Sequence, residues 1–210
     1  MMGKMDEMIY AIEVDELFSG VNKFNKFIEM DTNILANIEE YTKIMKRSDC
    51  EENPTIKHLI PYIFLTTPTN KIFVTRRTSN QTESRLHNKA SIGVGGHVGE
   101  FSDSMDIYNN VYFGAIRELN EELYGVEIET LMGDHLNLKL IGFVNYDADE
   151  VGQVHFGMVY HLLVNDILIP EISIKETENM MGEWMPIDAS FMIDNYETWS
   201  RALLEGIWGK

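Results

Sequence analysis

The chain has 210 residues, 44% of them hydrophobic and 10% aromatic, enough apolar material for one domain with a full core and too much for a disordered chain. Lys and Arg number 17 against 34 Asp and Glu, a formal charge of −17, so the surface as a whole repels nucleic-acid backbones and anionic membranes. The single cysteine, Cys50, excludes an intrachain disulfide and a thiolate metal cluster.

No apolar run approaches the roughly 18 residues of a membrane span, and the start MMGKMDEMIY lacks the apolar centre of a secretion signal. The expected location is the cytoplasm. Residues 1–53 read as an N-terminal extension packed on a main domain of residues 54–210. Within the extension, MIYAIEVDELF has the pattern of a strand and turn. NILANIEEYTKIM repeats Ile34, Leu35, Ile38, Tyr41 and Ile44–Met45 at helical spacing. The polar stretch RSDCEENP, with Pro54 as breaker, closes it.

From residue 58 the pattern changes to strands. HLIPYIFLTT and KIFVTRR are joined by the hairpin signal PTN, and ASIGVGGH reads as a strand entering a glycine turn. Glycines there let the backbone approach a ligand closely. A long helix follows, capped by Ser102, Asp103 or Ser104, with Ile107, Val111, Ala115, Leu119 and Leu123 as its buried stripe and Gly125 just past its end. LNLKLIGFVNY and QVHFGMVYHLLV are two more strands around the acidic loop DADEVG. GEWMPI is a short strand, and SFMIDNYETWSRALLEGI a C-terminal helix. Strands interleaved with helices predict an α/β fold, a mixed sheet covered by helices on both sides.

The chemistry concentrates in RELNEE at residues 117–122. Glu118, Glu121 and Glu122 stand at i, i+3 and i+4, so they share one helix face away from the Leu119 stripe. Three carboxylates so close repel one another, and the helix dipole disfavours negative charge at a C-terminus. A solvated acidic face is one reading. The other is a site for a hard divalent cation, which takes oxygen ligands together with substrate phosphates.

Together, GGHV and AIRELNEELYGV resemble the Nudix box, G-x5-E-x7-R-E-U-x-E-E-x-G-U with U a bulky aliphatic residue. The matching positions are Gly96, Arg117, Glu118, Leu119, Glu121, Glu122, Gly125 and Val126. IFVTRR is similar to an early strand of that family and GEWMPI to a late one, so the resemblance spans roughly residues 58–190. It implies a Nudix-like α/β/α sandwich, here with a helical N-terminal extension. The implied activity is metal-dependent hydrolysis of a phosphoanhydride, a diphosphate linked to another moiety in a small, nucleotide-like substrate. Mg2+ or Mn2+ would be held by Glu118, Glu121, Glu122 and Gly96, with Glu121 and Glu178 as catalytic groups and Arg77 and His97 as substrate contacts. No nucleic-acid polymer and no membrane is expected as partner; a homodimer is left open.

Two departures from the box stand out. Arg117 lies 21 residues after Gly96 instead of 14, and the position of the family's first glutamate is Ser102 counted from the glycine, or Asn109 counted from the arginine. One extra residue also precedes Gly125. Glu100, Asp103 and Asp106 are candidates to replace the missing carboxylate, in a loop over 99–110 expected on the surface. Such a loop resembles a branch of predicted phosphoesterases and also the isopentenyl-diphosphate isomerases.

Other residues have open readings. Arg76 and Arg77 end a strand and point to opposite faces; similarity to the family favours Arg77 as the phosphate contact. Glu178 matches a family position for a metal ligand or general base, with Glu176, Asp147, Asp149 and Glu150 as rivals. His155 and His161 share a strand face, although the carboxylates suit a metal for this chemistry better. Two other functions remain: a Nudix-fold ligand sensor without turnover, favoured by the missing first glutamate, and an isomerase, opposed by the distance of Cys50 from the glycine turn.

Overall fold

The computed structural model describes residues 4–77, 89–99, 106–126, 138–178 and 180–209. In chain order the first segment carries β1 (Met8–Glu13), a short α1 (Val14–Leu17), β2 (Lys26–Glu29), α2 (Thr32–Tyr41), β3 (Lys43–Lys46) and a short α3 (Arg47–Cys50). The Asp31 carboxylate caps α2 by accepting from the backbone N–H of Asn33 and Ile34, and the helix buries Ile34 and Ile38. The N-terminal segment is thus strand as well as helix: Ile44 and Met45, expected on the helix, lie in β3, drawn into pairing with β1, and the segment packs on the rest through the pairing of β1 and β2 with later strands.

Then follow β4 (Ile56–Thr66), β5 (Lys71–Arg77), β6 (Ala90–Ser91), β7 (Gly93–Gly95), α4 (Ile107–Glu122), β8 (Leu123–Tyr124), β9 (Leu138–Asn145), α5 (Glu150–Val154) and β10 (His155–Leu163). The chain ends with β11 (Ser173–Ile174), β12 (Met180–Pro186), a short α6 (Ile187–Ser190) and α7 (Thr198–Trp208).

All eleven residues of β4 are buried, as its near-continuous apolar run requires of a central strand. The main sheet runs β12-β5-β4-β10-β9-β2, with β1 paired to both β3 and β4, β6 to β5, and β7 to β4. β4 and β10 are parallel, while the other described pairs are antiparallel. Alternation along β4 divides the core in two. Leu59, Ile63 and Leu65 pack with Val111, Ala115 and Leu119 of α4. Tyr62 and Phe64 pack with Leu203 and Leu204 of α7 on the other face. This is the expected α/β/α sandwich, with the buried stripe of α4 at the expected positions; Ile107 itself is only half-buried.

The two long helices begin later than their sequence signals. For α4 the cap is Asp106, whose carboxylate accepts from the Asn109 N–H at 2.8 Å. The expected caps Ser102, Asp103 and Ser104, together with Glu100, lie outside the described residues, as do all of residues 100–105 of the 99–110 loop. At the other end Gly125 is left-handed, with φ +76°, as expected of a glycine past a helix. The C-terminal helix starts at Thr198, not near Ser190. The Asn195 carbonyl accepts from the Ala90 N–H and the Glu197 N–H donates to the Ala90 carbonyl, each at 2.8 Å, so β6 holds this segment extended.

Among the described residues, one charge is wholly buried, that of Lys57. The Lys57 ammonium donates to Asp147 Oδ1 at 2.6 Å, to the Gly152 carbonyl at 2.5 Å and to the His155 carbonyl at 3.2 Å. Lys23 reaches the other Asp147 oxygen at 2.7 Å. Burial lowers the Lys57 pKa although Asp147 opposes it; the Asp147 carboxyl is also lowered, because the hydrogen bonds from Lys23 and Lys57 outweigh its burial. The two downward shifts disfavour the charged ammonium and favour the charged carboxylate, so burying the ammonium is costly in itself and is tolerated because oxygens surround it.

Candidate active site

The glycine turn after β7 faces the last turns of α4. A Cβ built on Gly96 would stand 2.5 Å from Glu118 Oε2, so only glycine leaves this carboxylate its place. Arg117 ties the two segments together: it donates to the His97 carbonyl at 2.7 Å, ion-pairs with Glu118 and lies 3.6 Å from Glu121. Glu118 is buried, and that burial raises its pKa, with Glu121 and Glu122 adding to the rise against the pull of Arg117. The Glu122 carboxyl is also raised, first by burial and then by the charge of Glu176, against Arg77. Glu121 is the exposed member of the three.

Glu122 opens on a pocket of about 780 Å³, which Gly96, His97 and Arg77 also line, with Tyr62 and Trp199 on the wall formed by β4 and α7. Strand alternation separates the arginines as expected. Arg77 enters the pocket and pairs with Glu197 at 3.2 Å, whereas Arg76 pairs with Glu183 at 3.4 Å. Glu178 is exposed on the segment entering β12, and Glu176, two residues earlier, is the one whose charge acts on Glu122.

The acidic loop has other work. Asp147 holds Lys57. Asp149 caps α5, accepting from the Gly152 N–H at 2.7 Å, and accepts from the Thr198 hydroxyl at 2.9 Å. Glu150 stays on the pocket wall. Asp106, one candidate for the missing carboxylate, is occupied as the cap of α4.

His97 is not alone beside the glycines. His58 Nδ1 lies 2.9 Å from His97 Nε2, and His155 Nε2 lies 3.2 Å from the same nitrogen. Burial lowers all three, His58 to about 4 and His97 to about 2, and the neighbouring His155 is the second cause for those two; His155 is lowered as well. His97 therefore stands in the pocket wall as a neutral imidazole, a hydrogen-bonding group and not a cation for phosphate. The parallel register sets His155 directly beside His58, which brings the pair onto one face. His161 is elsewhere, bonded to the Thr66 hydroxyl at 2.7 Å and stacked on Phe64. The sequence held the three histidines, but the pairing of β4 with β10 is a long-range contact that no local spacing announces.

No family model matches the chain. Protein YmaB of Bacillus subtilis (strain 168) is 33% identical over 211 residues, covering 97% of this chain and 98% of that protein. The crystal structure of Tm1382, named as a candidate Nudix hydrolase, superimposes with a TM-score of 0.71 at 21% identity, over 94% of this chain and 96% of that one. The Nudix domain of NrtR from Shewanella oneidensis, solved with ADP ribose, is a more distant match, covering 70% of this chain and 83% of its own at a TM-score of 0.47 and 17% identity.

Proposed function

The chain belongs to the family of Bacillus subtilis protein YmaB and has the Nudix fold, and from that premise we propose that it hydrolyses a phosphoanhydride with the help of a divalent cation. The observation that carries this reading is the end of α4. Glu118 and Glu122 are both held above the ordinary carboxylate range by burial, side by side with Glu121, next to a pocket that also holds Arg77. Buried carboxylates that resist ionisation are what a cation would relieve, and an all-oxygen donor set suits Mg2+ or Mn2+.

Glu118, Glu121, Glu122 and the Gly96 backbone would hold the ion. When bound, such an ion polarises the phosphate and lowers the pKa of the attacking water. The chain's own groups then have distinct tasks. Arg77 offsets negative charge on the phosphate, and Glu197 holds its guanidinium in place. A carboxylate of the 176–178 segment takes the proton from the attacking water; Glu178 is the residue expected from the family pattern, and Glu176 is supported by its charge on Glu122. The absence of an acid at Ser102 favours a second reading, a sensor that binds a diphosphate-containing ligand without turnover. An isomerase is disfavoured, because Cys50 is buried on α3 and does not line the pocket.

A panel of nucleoside diphosphate derivatives with Mg2+ or Mn2+, scored by phosphate release after a phosphatase step, tests the reading. Turnover of at least one compound is expected; tight binding with no turnover across the panel would select the sensor. Gly96→Ala sharpens the same test. The clash it creates is with the far end of the flexible Glu118 side chain, so the protein should fold and melt nearly as before. Displacing that carboxylate by an ångström should nevertheless cost about 100-fold in turnover. Full activity in this variant would remove Glu118 from the site.

A further inference from the structure

Three nitrogens converge on one point outside the carboxylate helix: His58 Nδ1 from β4, His97 Nε2 from the turn after β7, and His155 Nε2 from β10. All three lie within 4.8 Å of one another, two of the separations being 2.9 and 3.2 Å. Four tetrahedral ligands at the zinc–imidazole distance of about 2.0–2.1 Å stand about 3.3–3.4 Å apart, so the cluster needs little movement to surround an ion.

Hydrogen bonding alone does not satisfy these rings. His155 Nδ1 is 2.6 Å from the Val151 carbonyl, and a carbonyl only accepts, so the proton sits on Nδ1 and Nε2 turns a lone pair to the cluster. His97 Nε2 then has two neighbours and a single proton or a single lone pair. If it accepts from His58 Nδ1, its lone pair faces that of His155 across 3.2 Å. If it donates, His58 Nδ1 must accept, and the proton of His58 moves to Nε2, which is buried beside the Cys50 backbone without a well-formed hydrogen bond. Each neutral arrangement thus leaves a buried ring nitrogen either facing a like group or poorly bonded.

We propose that His58, His97 and His155 form a second metal site, selective for a borderline transition ion of the Zn2+ type, with its fourth position open to the pocket. A cation takes all three lone pairs at once. The bond from His155 Nδ1 to the Val151 carbonyl is the outer-shell contact that fixes a ligating imidazole. An all-nitrogen set suits Zn2+ and disfavours Mg2+, whereas the glutamates of α4 have the opposite preference, so the two sites sort ions by donor chemistry. His97 and His155 line the same pocket as Glu122, which gives the open position access to a ligand. The nearby Arg47 guanidinium opposes a cation, but Glu51 pairs with it at 2.9 Å and stands on the same wall. The site does not depend on the hydrolase reading: it would exist in an enzyme or in a sensor.

The test uses untagged full-length protein, stripped with chelator and dialysed against Zn2+ in an excess of Mg2+. About one tightly held Zn2+ per chain is expected by elemental analysis, as for a site with three protein ligands. His97→Ala should weaken Zn2+ binding by about 100-fold or more, beyond the loss typical of an outer-shell change. Glu121→Gln should leave it unaltered. Because His58 and His155 are packed in the sheet and their variants can fail to fold, Co2+ in the wild type gives an independent readout. Intense visible bands of a four-coordinate, nitrogen-bound ion support the site. A weak six-coordinate spectrum, no retained Zn2+, or undiminished Zn2+ binding in His97→Ala overturns it.

Discussion

Replacing Glu122 by Gln is expected to lower hydrolysis by at least about 100-fold while leaving the fold intact. Gln keeps the size and hydrogen-bonding capacity of the side chain and removes only the charge. Glu122 resists ionisation because it is buried and faces Glu176, so neutralising it relieves repulsion, and the metal-free variant should melt no lower than the wild type. Mg2+ should raise the Tm of the wild type, since an ion that binds only the folded state stabilises it, and should raise that of the variant less. Glu121→Gln, at the exposed member of the set, should show the same loss of rate. Normal turnover in both variants would sink the assignment of the carboxylate helix.

The largest expected effect on stability is at the buried pair. Asp147→Ala leaves the Lys57 ammonium inside the protein bonded to two carbonyls and to no carboxylate, and should cost about 3–5 kcal/mol. Lys57→Met should cost less. The methionine fills the space of the alkyl stem, and Asp147 keeps Lys23 at 2.7 Å and partial contact with solvent. Urea unfolding of both variants measures the order. An Asp147→Ala variant no less stable than Lys57→Met would mean that the ammonium is not charged in the folded protein.

Local chemistry made the strands and the carboxylate helix legible. The period-four stripe from Val111 to Leu123 and the glycine past its end are properties of neighbouring residues, and the structure keeps them. Helix starts were less legible, because a cap is defined by backbone geometry: Ser102, Asp103, Ser104 and Asp106 offer the same chemistry, and the first turn forms at Asp106. At the C-terminus, residues 195–197 are drawn into pairing with Ala90, a tertiary contact that overrides helical pattern. The role of the N-terminal segment was hidden for a related reason. β1 and β2 are four to six residues long, and what makes them part of the sheet is their pairing with β4 and β9.

The site divides along the same line. Glu118, Glu121 and Glu122 are one helix face, readable from spacing; strand alternation separates Arg76 from Arg77, and only similarity to the family favoured Arg77. The histidine cluster joins residues 58, 97 and 155, which the parallel register of β4 with β10 and the pairing of β7 with β4 bring together. Asp147 shows the converse: a carboxylate that looked available as a base is taken by a lysine 90 positions away in the chain.

The most direct test of phosphoanhydride hydrolysis at the α4 carboxylates is oxygen transfer from water. Wild type and Glu122→Gln would be incubated in 18O-labelled water with Mg2+ and each diphosphate compound that binds, and the products weighed by mass spectrometry. The account predicts a single 18O in one phosphorylated product of the wild type and almost none with the variant. Compounds that bind tightly to the wild type yet never acquire 18O would contradict it and leave the protein a sensor.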